Sequence, residues 1–254
     1  MTVLDEGFMA RQAVAWARPP VDDVGYLPSA DLLGLGDDEL RAVVAQMTVT
    51  RYGPGGWRNW KGLWRDLLGL DELAGLDVLD FGCGTGVESA QLAQRNRVQI
   101  ADIAGSNLAL AARVMRLSGH DPAAVWDVTG TWPFLGALDG SIDVFFCSGV
   151  LHHIPWAEDI MRRAHGLLRP GGQARLMLYS DNAWRLRPGG EPPQDVGAHP
   201  DGLAFAEAWD QVGEYADWYN RDRLEQRFGD LFTIERCEYM CPRSEYLGAV
   251  LRKR

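Results

Sequence analysis

Residues Val78-Leu79-Asp80-Phe81-Gly82-Cys83-Gly84-Thr85-Gly86-Val87 constrain this chain more than any other stretch. An apolar run ends in an acidic residue, then breaks into three glycines at alternating positions. A helix-compatible stretch, Glu88 to Leu92, follows. The pattern predicts a strand entering a crowded turn and a helix leaving it. Glycine permits left-handed backbone angles and lets a ligand approach without meeting a β-carbon. Val87 stands where the third glycine of a G-x-G-x-x-G dinucleotide fingerprint would be, so that fingerprint does not fit. A glycine-rich turn with no ligand is the other reading of this motif taken alone.

The rest of the chain extends the pattern. Leu76 to Phe81, Arg97 to Asp102, Ala123 to Asp127, Ile142 to Cys147 and Gln173 to Tyr179 read as strands. Between them Val87 to Gln94, Ser106 to Ser118 (with Ser106 as N-cap) and Trp156 to Leu168 read as helices. Such alternation implies a parallel sheet covered by helices. Residues 181–219 break the rhythm with several prolines and glycines, then a helix over Leu203 to Gly213. Arg221 to Phe228 reads as a helix, and Phe232 to Tyr239 with Glu245 to Leu251 as a closing antiparallel hairpin. Ahead of the alternating region, residues 1–75 are mixed helix and loop. Asp37 to Met47 has helical spacing, and a breaker-rich loop runs from Arg51 to Trp57. Trp57, Trp60, Leu63, Trp64, Leu67 and Leu68 then recur at helical spacing, a stripe best accounted for by packing on the main domain. The expected division is an N-terminal helical lid over 1–75 and a main domain over 76–254.

Charge and cysteine content narrow the classes. The formal net charge of −10 argues against a nucleic-acid partner, because phosphate contacts need clustered Lys and Arg. Lys61 and Lys253 are the only lysines, a bias expected of a high-GC bacterial gene. Cys83, Cys147, Cys237 and Cys241 form no C-x-x-C pair and fit reduced thiols in a cytoplasmic protein. The first residues lack the basic-then-apolar order of a signal peptide, and no apolar run approaches a membrane span. No metal-ligand spacing is present, which predicts a metal-free reaction.

The glycine turn, with Asp80 two residues before it, resembles motif I of the Rossmann-like (class I) S-adenosylmethionine (SAM) methyltransferases. Three further stretches support the resemblance. Ile100-Ala101-Asp102-Ile103 places a carboxylate at a strand end, 20 residues past Gly82. Val125-Trp126-Asp127-Val128 matches the third motif, and Asp143 to Ile154 the fourth. Leu168-Arg169-Pro170-Gly171-Gly172 matches the turn before the family's fifth strand. The match covers residues 76–180 well and 219–254 only in pattern. It implies a seven-stranded, mostly parallel sheet of order 3-2-1-4-5-7-6 with the last strand antiparallel and helices on both faces. To that core are added the N-terminal lid and a 181–219 cap.

The resemblance also implies the cofactor contacts. Asp80, Gly82, Cys83, Gly84 and Gly86 would face the methionine part of SAM. Asp102 would accept the ribose hydroxyls. Asp127 would take the adenine amino group, and the Val128 backbone N–H a ring nitrogen. Ile103 and Val128 would clamp the purine, with Trp126 stacking or filling the core. Ser148 and His153 lie in the fourth motif near the transfer centre. Tyr26, Tyr52 and Trp57 would close over the cofactor.

Methyl transfer needs a nucleophile held in line with the sulfonium methyl, and orientation of that kind supplies on the order of 7–11 kcal/mol. A hydroxyl acceptor also needs a base, for which histidine is suited. His152 and His153 are the only adjacent histidines. His152 is assigned as base or acceptor-orienting group, with Asp181 orienting it. The other reading is that both rings only fill a strand-to-helix joint. The 181–219 cap carries eight acidic residues and several aromatics, which favours a cationic amine acceptor unless the acids are merely solvated and the aromatics packed. The expected protein is therefore a small-molecule methyltransferase of bacterial secondary metabolism, monomeric or homodimeric. It leans to a nitrogen acceptor ahead of an oxygen one. A peptide acceptor and a non-catalytic SAM-binding protein are the rivals.

Overall fold

The computed structural model describes residues 6–21, 25–53, 59, 62–129, 139–210 and 213–254. Its centre is a seven-stranded sheet of order β3-β2-β1-β4-β5-β7-β6. Those strands are β1 (Asp77–Phe81), β2 (Arg97–Asp102), β3 (Ala124–Asp127), β4 (Ile142–Ser148), β5 (Leu168–Tyr179), β6 (Phe232–Met240) and β7 (Tyr246–Lys253). β1 to β5 pair in parallel, and β7 runs antiparallel between β5 and β6. Sheet order and strand directions are those expected. Strand order reverses between β1 and β4, so a crevice opens beyond their carboxyl ends.

Alternate residues of each central strand feed two cores, as a two-residue side-chain period requires. Val78, Val144 and Phe146 face one layer, built with α3 (Asp37–Tyr52), α4 (Leu63–Leu68), α5 (Val87–Ala93) and α6 (Gly105–Leu117). Leu79, Phe81, Phe145 and Cys147 face the other, built with α7 (Ala157–Leu167) and α10 (Arg221–Phe228). Strands covered on both faces must be apolar throughout, which is why Val144-Phe145-Phe146 reads as a continuous run.

The lead segment joins the first core. Leu40, Met47, Trp64, Leu67 and Leu68 are buried against it. α3 runs through Tyr52, five residues beyond the expected Met47, and α4 keeps only the last part of the tryptophan stripe. Trp57 and Trp60 lie outside the described residues. Ahead of these, α1 (Glu6–Trp16) and α2 (Ser29–Gly34) precede α3 in the chain. Ser106 is not an N-cap: α6 begins at Gly105, and Ala104 takes the cap position.

In the cap, α8 (Asp181–Leu186) starts at Ser180, whose hydroxyl accepts from the Asn182 and Ala183 backbone N–H groups. α9 (Gly202–Asp210) follows. Ala183, Trp184, Val196, Phe205, Ala216 and Trp218 make a small third core with Tyr179. The cap aromatics Trp184, Trp218 and Tyr219 are thus packed inside rather than displayed.

Gly86 caps α5 with a φ of +78°, and a Cβ there would lie 2.5 Å from the Ala111 Cα. α5 and α6 approach closely because residue 86 has no side chain. Gly86→Ala is expected to cost about 2–4 kcal/mol, combining a left-handed alanine with overpacking against backbone. Urea unfolding measures it; a loss below 1 kcal/mol would contradict the close contact.

Candidate functional site

A cavity of about 420 Å³ lies where β1 and β4 diverge. Its floor is the turn after β1, one wall is the end of β2, and another is the segment after β4. α1 contributes Phe8, Met9, Gln12 and Trp16 to the wall.

The glycine turn does two different jobs. At Gly82 (φ +81°) a Cβ would strike the Val150 side chain at 2.2 Å, so this glycine lets the turn pack under the segment after β4. At Gly84 (φ +50°) the nearest atom to a Cβ is Pro19 Cβ at 3.7 Å, so its main chain is left bare toward the cavity. Cys83 lines the same wall, and burial pushes its thiol well above the ordinary value. Gly86 packs on Ala111 and is not part of the wall.

Asp102 ends β2 and ties the site together. Its Oδ2 accepts from the Gly84 N–H at 3.0 Å, and its Oδ1 from the Ala104 N–H at 2.9 Å and Asn107 Nδ2 at 3.0 Å. Asn107 Nδ2 also donates to the Trp16 carbonyl at 2.8 Å. Burial raises the Asp102 carboxyl from its ordinary value against the pull of these bonds. Behind the turn, Asp80 Oδ2 accepts from the Ser89 hydroxyl at 2.5 Å. Burial, with the charges of Glu88 and Asp102, pushes Asp80 up to about 7. Arg51, at the end of α3, lines the cavity with its Nη1 2.9 Å from Glu88 Oε2.

The expected purine contacts are split. Ile103 and Val128 line the cavity. The Val128 N–H does not: it donates to the Asp102 carbonyl at 3.1 Å, extending the β2–β3 pairing. Trp126 turns its indole Nε1–H to Gln99 Oε1 at 3.0 Å, and Asp127 is exposed and accepts from the Thr129 N–H at 2.8 Å. Neither forms part of the wall. Tyr52 is buried in the core beside Trp64, with ring centroids 6.4 Å apart, and is likewise off the wall, whereas Tyr26 lines it.

Both histidines reach the cavity, and each is held at Nδ1 but by a bond of opposite polarity. The Tyr179 backbone N–H donates to His152 Nδ1 at 3.0 Å. A backbone N–H only donates, so Nδ1 carries the lone pair and neutral His152 carries its proton on Nε2. Burial, then His153, holds His152 well below the ordinary imidazole range, which keeps it neutral. His153 Nδ1 lies 3.0 Å from the Tyr215 carbonyl. A carbonyl only accepts, so Nδ1 holds a proton, and in the neutral ring Nε2 carries the lone pair. The orienting role expected of Asp181 falls to Tyr179. Asp181 accepts from Arg185 Nη1 at 2.6 Å and the Tyr239 hydroxyl at 2.7 Å instead, and lies off the cavity wall. The Ser148 hydroxyl lines the cavity with no partner among the described residues.

The acidic cap points elsewhere. Asp217 N–H donates to the His152 carbonyl at 2.7 Å, while its carboxylate takes Arg223 and Arg227. Glu214 pairs with Arg11 at 2.7 Å and Glu191 with Arg185 at 3.3 Å. Asp195, Asp201 and Glu207 are also absent from the wall, and the Asp210 side chain lies outside the described residues. None of the described cap carboxylates lines the cavity. The α1 contribution, Arg51 and Asn107 were not singled out from the sequence. The Phe8, Gln12, Trp16 spacing was the available signal for α1.

Asp80 makes stability depend on pH with a definite sign. Its folded pKa of about 7 lies above the 3.8 of the free side chain, so the folded state holds the proton longer. Ionisation removes stability as pH rises from about 4 to about 7. Asp80→Asn, which keeps an acceptor for Ser89, should gain melting temperature relative to the parent across that window and hold a constant gain above it. Parallel thermal melts from pH 4 to 8 measure this; a gain that shrinks with rising pH contradicts it.

Comparison with known proteins agrees with this architecture. Residues 78–172 match the methyltransferase-domain family. A ubiquinone biosynthesis O-methyltransferase of Pseudomonas aeruginosa is 34% identical over 117 residues, covering 44% of this chain and 50% of that protein. Methyltransferase GfsG of Streptomyces halstedii is 31% identical over 109 residues, covering 42% of this chain and 39% of that one. The chain spans about half the length or less of these curated relatives. Among solved structures, a SAM-dependent methyltransferase of Mesorhizobium loti superposes with a TM-score of 0.57 at 20% identity, covering 75% of this chain and 97% of its own. Residues 78–172 thus resemble the methyltransferase-domain family in sequence, and the seven-stranded sheet shares its fold with a solved SAM-dependent methyltransferase.

Proposed function

We propose that this protein transfers the methyl group of SAM to a small-molecule acceptor, with oxygen as the acceptor atom. One observation carries the reading: a single cavity joins the bare main chain of Gly84 and the Asp102 carboxylate to the paired rings of His152 and His153. The donor set fits SAM. Asp102 would hold the ribose hydroxyls, Gly82 to Gly84 would lie along the aminoacyl tail, and Arg51 would face its carboxylate. Ile103 and Val128 would flank the purine. When bound, SAM supplies an electrophilic methyl group on a sulfonium.

The chain itself supplies orientation, dryness and a proton acceptor. α1 lines the cavity and would keep water from the reacting atoms. His153 Nε2, with its lone pair, takes the proton of an acceptor hydroxyl. His152 Nε2–H donates and steadies the acceptor. This assignment moves the base from His152 to His153, because Nδ1 of His152 is already spent on a backbone N–H. Oxygen is favoured over the amine expected from the cap, since the cap carboxylates that are described lie off the wall. The P. aeruginosa relative, named for O-methyl transfer in ubiquinone biosynthesis, points the same way.

Calorimetry with S-adenosylhomocysteine tests the cofactor reading. One site per chain is expected, and Asp102→Ala should weaken it about 10- to 100-fold, as for loss of hydrogen bonds to a charged group. No heat at millimolar ligand would sink the proposal. His153→Ala should lower kcat about 10²- to 10⁴-fold, the usual worth of a general base, while cofactor affinity stays unchanged. Full turnover in that variant, with loss in His152→Ala, would return the base role to His152.

A further inference from the structure

We propose that Gln12 is a specificity residue for the acceptor, donating its amide N–H to an oxygen of an uncharged, ring-bearing molecule. The inference rests on the methyltransferase reading above and names the class of acceptor for that site.

Phe8, Gln12 and Trp16 stand four residues apart, so they share one face of α1, and all three line the cavity. A glutamine in the middle of an aromatic stripe is a poor choice for packing alone. Gln12 is only 3% exposed. Its amide cannot be turned round. Trp16 Nε1–H donates to Gln12 Oε1 at 2.9 Å, and an indole N–H only donates. The oxygen is therefore fixed toward Trp16, and Nε2, with two N–H donors, is turned away from it. That nitrogen is buried and has no partner among the described residues. Buried donors are nearly always met, so one left unmet on a cavity wall marks a place for a ligand acceptor.

The surroundings specify the rest of the ligand. Phe8 meets Trp156 edge-on with centroids 5.4 Å apart, and Trp16 leans on His153 at 4.7 Å. Gln12 thus sits between two aromatic walls, one of which abuts His153. Flat rings are the natural occupants of such a slot. The charged side chains of the wall are Arg51, Asp80, Glu88 and Asp102, and their bonds hold them round the glycine turn. None bonds Gln12. Among the described residues of the wall a cationic amine would find no carboxylate at the Gln12 end, whereas a phenol or an aryl ketone offers the oxygen that the amide needs.

The test uses the full chain saturated with S-adenosylhomocysteine and two probes with the same ring system, 2-naphthol and 2-naphthylmethylamine. Binding is read by calorimetry. Gln12→Glu keeps an oxygen for Trp16 but removes the N–H donors and adds a charge. Gln12→Leu removes both functions at similar volume. The expected result is that the parent prefers the naphthol at least tenfold. Both variants should lose at least tenfold toward it, and Gln12→Glu should gain toward the amine. Affinity for S-adenosylhomocysteine should stay within about threefold throughout, which also shows that the variants fold. Unchanged naphthol binding in Gln12→Leu, a parent that prefers the amine, or no naphthol binding at millimolar concentration overturns the proposal while leaving the cofactor reading intact. A tenfold loss of S-adenosylhomocysteine in both variants instead assigns Gln12 to the cofactor and overturns it too. A parent that binds no S-adenosylhomocysteine fails at the methyltransferase reading itself.

Discussion

The Asp102 carboxylate is the junction on which the site depends. It receives the Gly84 N–H from the glycine turn, the Ala104 N–H from the start of α6, and the Asn107 amide, which in turn holds the Trp16 carbonyl. Three segments, the end of α1, the glycine turn and the β2–α6 junction, are therefore fixed relative to one buried carboxylate. Satisfied networks of this kind rigidify, while a partly satisfied one is costly. The Ser29 hydroxyl extends the chain by donating to Asn107 Oδ1 at 2.6 Å, so α2 is drawn in as well. The position of the end of α1 at the cavity wall follows from the same contacts that shape the glycine turn.

The sheet and the glycine turn were legible because their signals are local. A strand buried on both faces must be apolar along its whole length, and a turn that needs positive φ at residues 82, 84 and 86 is written in glycine. The order of strands came from the family resemblance, and the structure agrees with it. What stayed hidden depends on contacts between remote segments. Nothing in the sequence near Tyr179 says that its N–H meets His152, or that the Tyr215 carbonyl meets His153. Those two bonds decide which ring donates and which accepts. Similarly, the expected use of the Val128 N–H failed because β3 continues its pairing with β2 through that group.

Composition alone does not say which of the cap's charges are paired. The cap's acids and aromatics suggested a surface that attracts cations. In the fold, Asp217 lies between two arginines, Asp181 is held by Arg185 and Tyr239, and the large rings fill a third core. Charge in a sequence is counted without its partner, and only the partner tells whether a field remains. α1 is the converse case: a short helix that the sequence reading passed over brings Phe8, Met9, Gln12 and Trp16 to the cavity wall.

The cap leaves the sheet at Ser180 and returns at Tyr219, and these two residues form a parallel bridge. The Tyr219 N–H donates to the Tyr179 carbonyl and the Asp181 N–H to the Tyr219 carbonyl, so exit and re-entry are clasped side by side. Lengthening a closed loop adds little entropic cost. Its interior can accept insertions or deletions across generations while β5 and α10 stay in register. The 181–219 excursion is thus anchored at its base, and the register of β5 does not depend on its length.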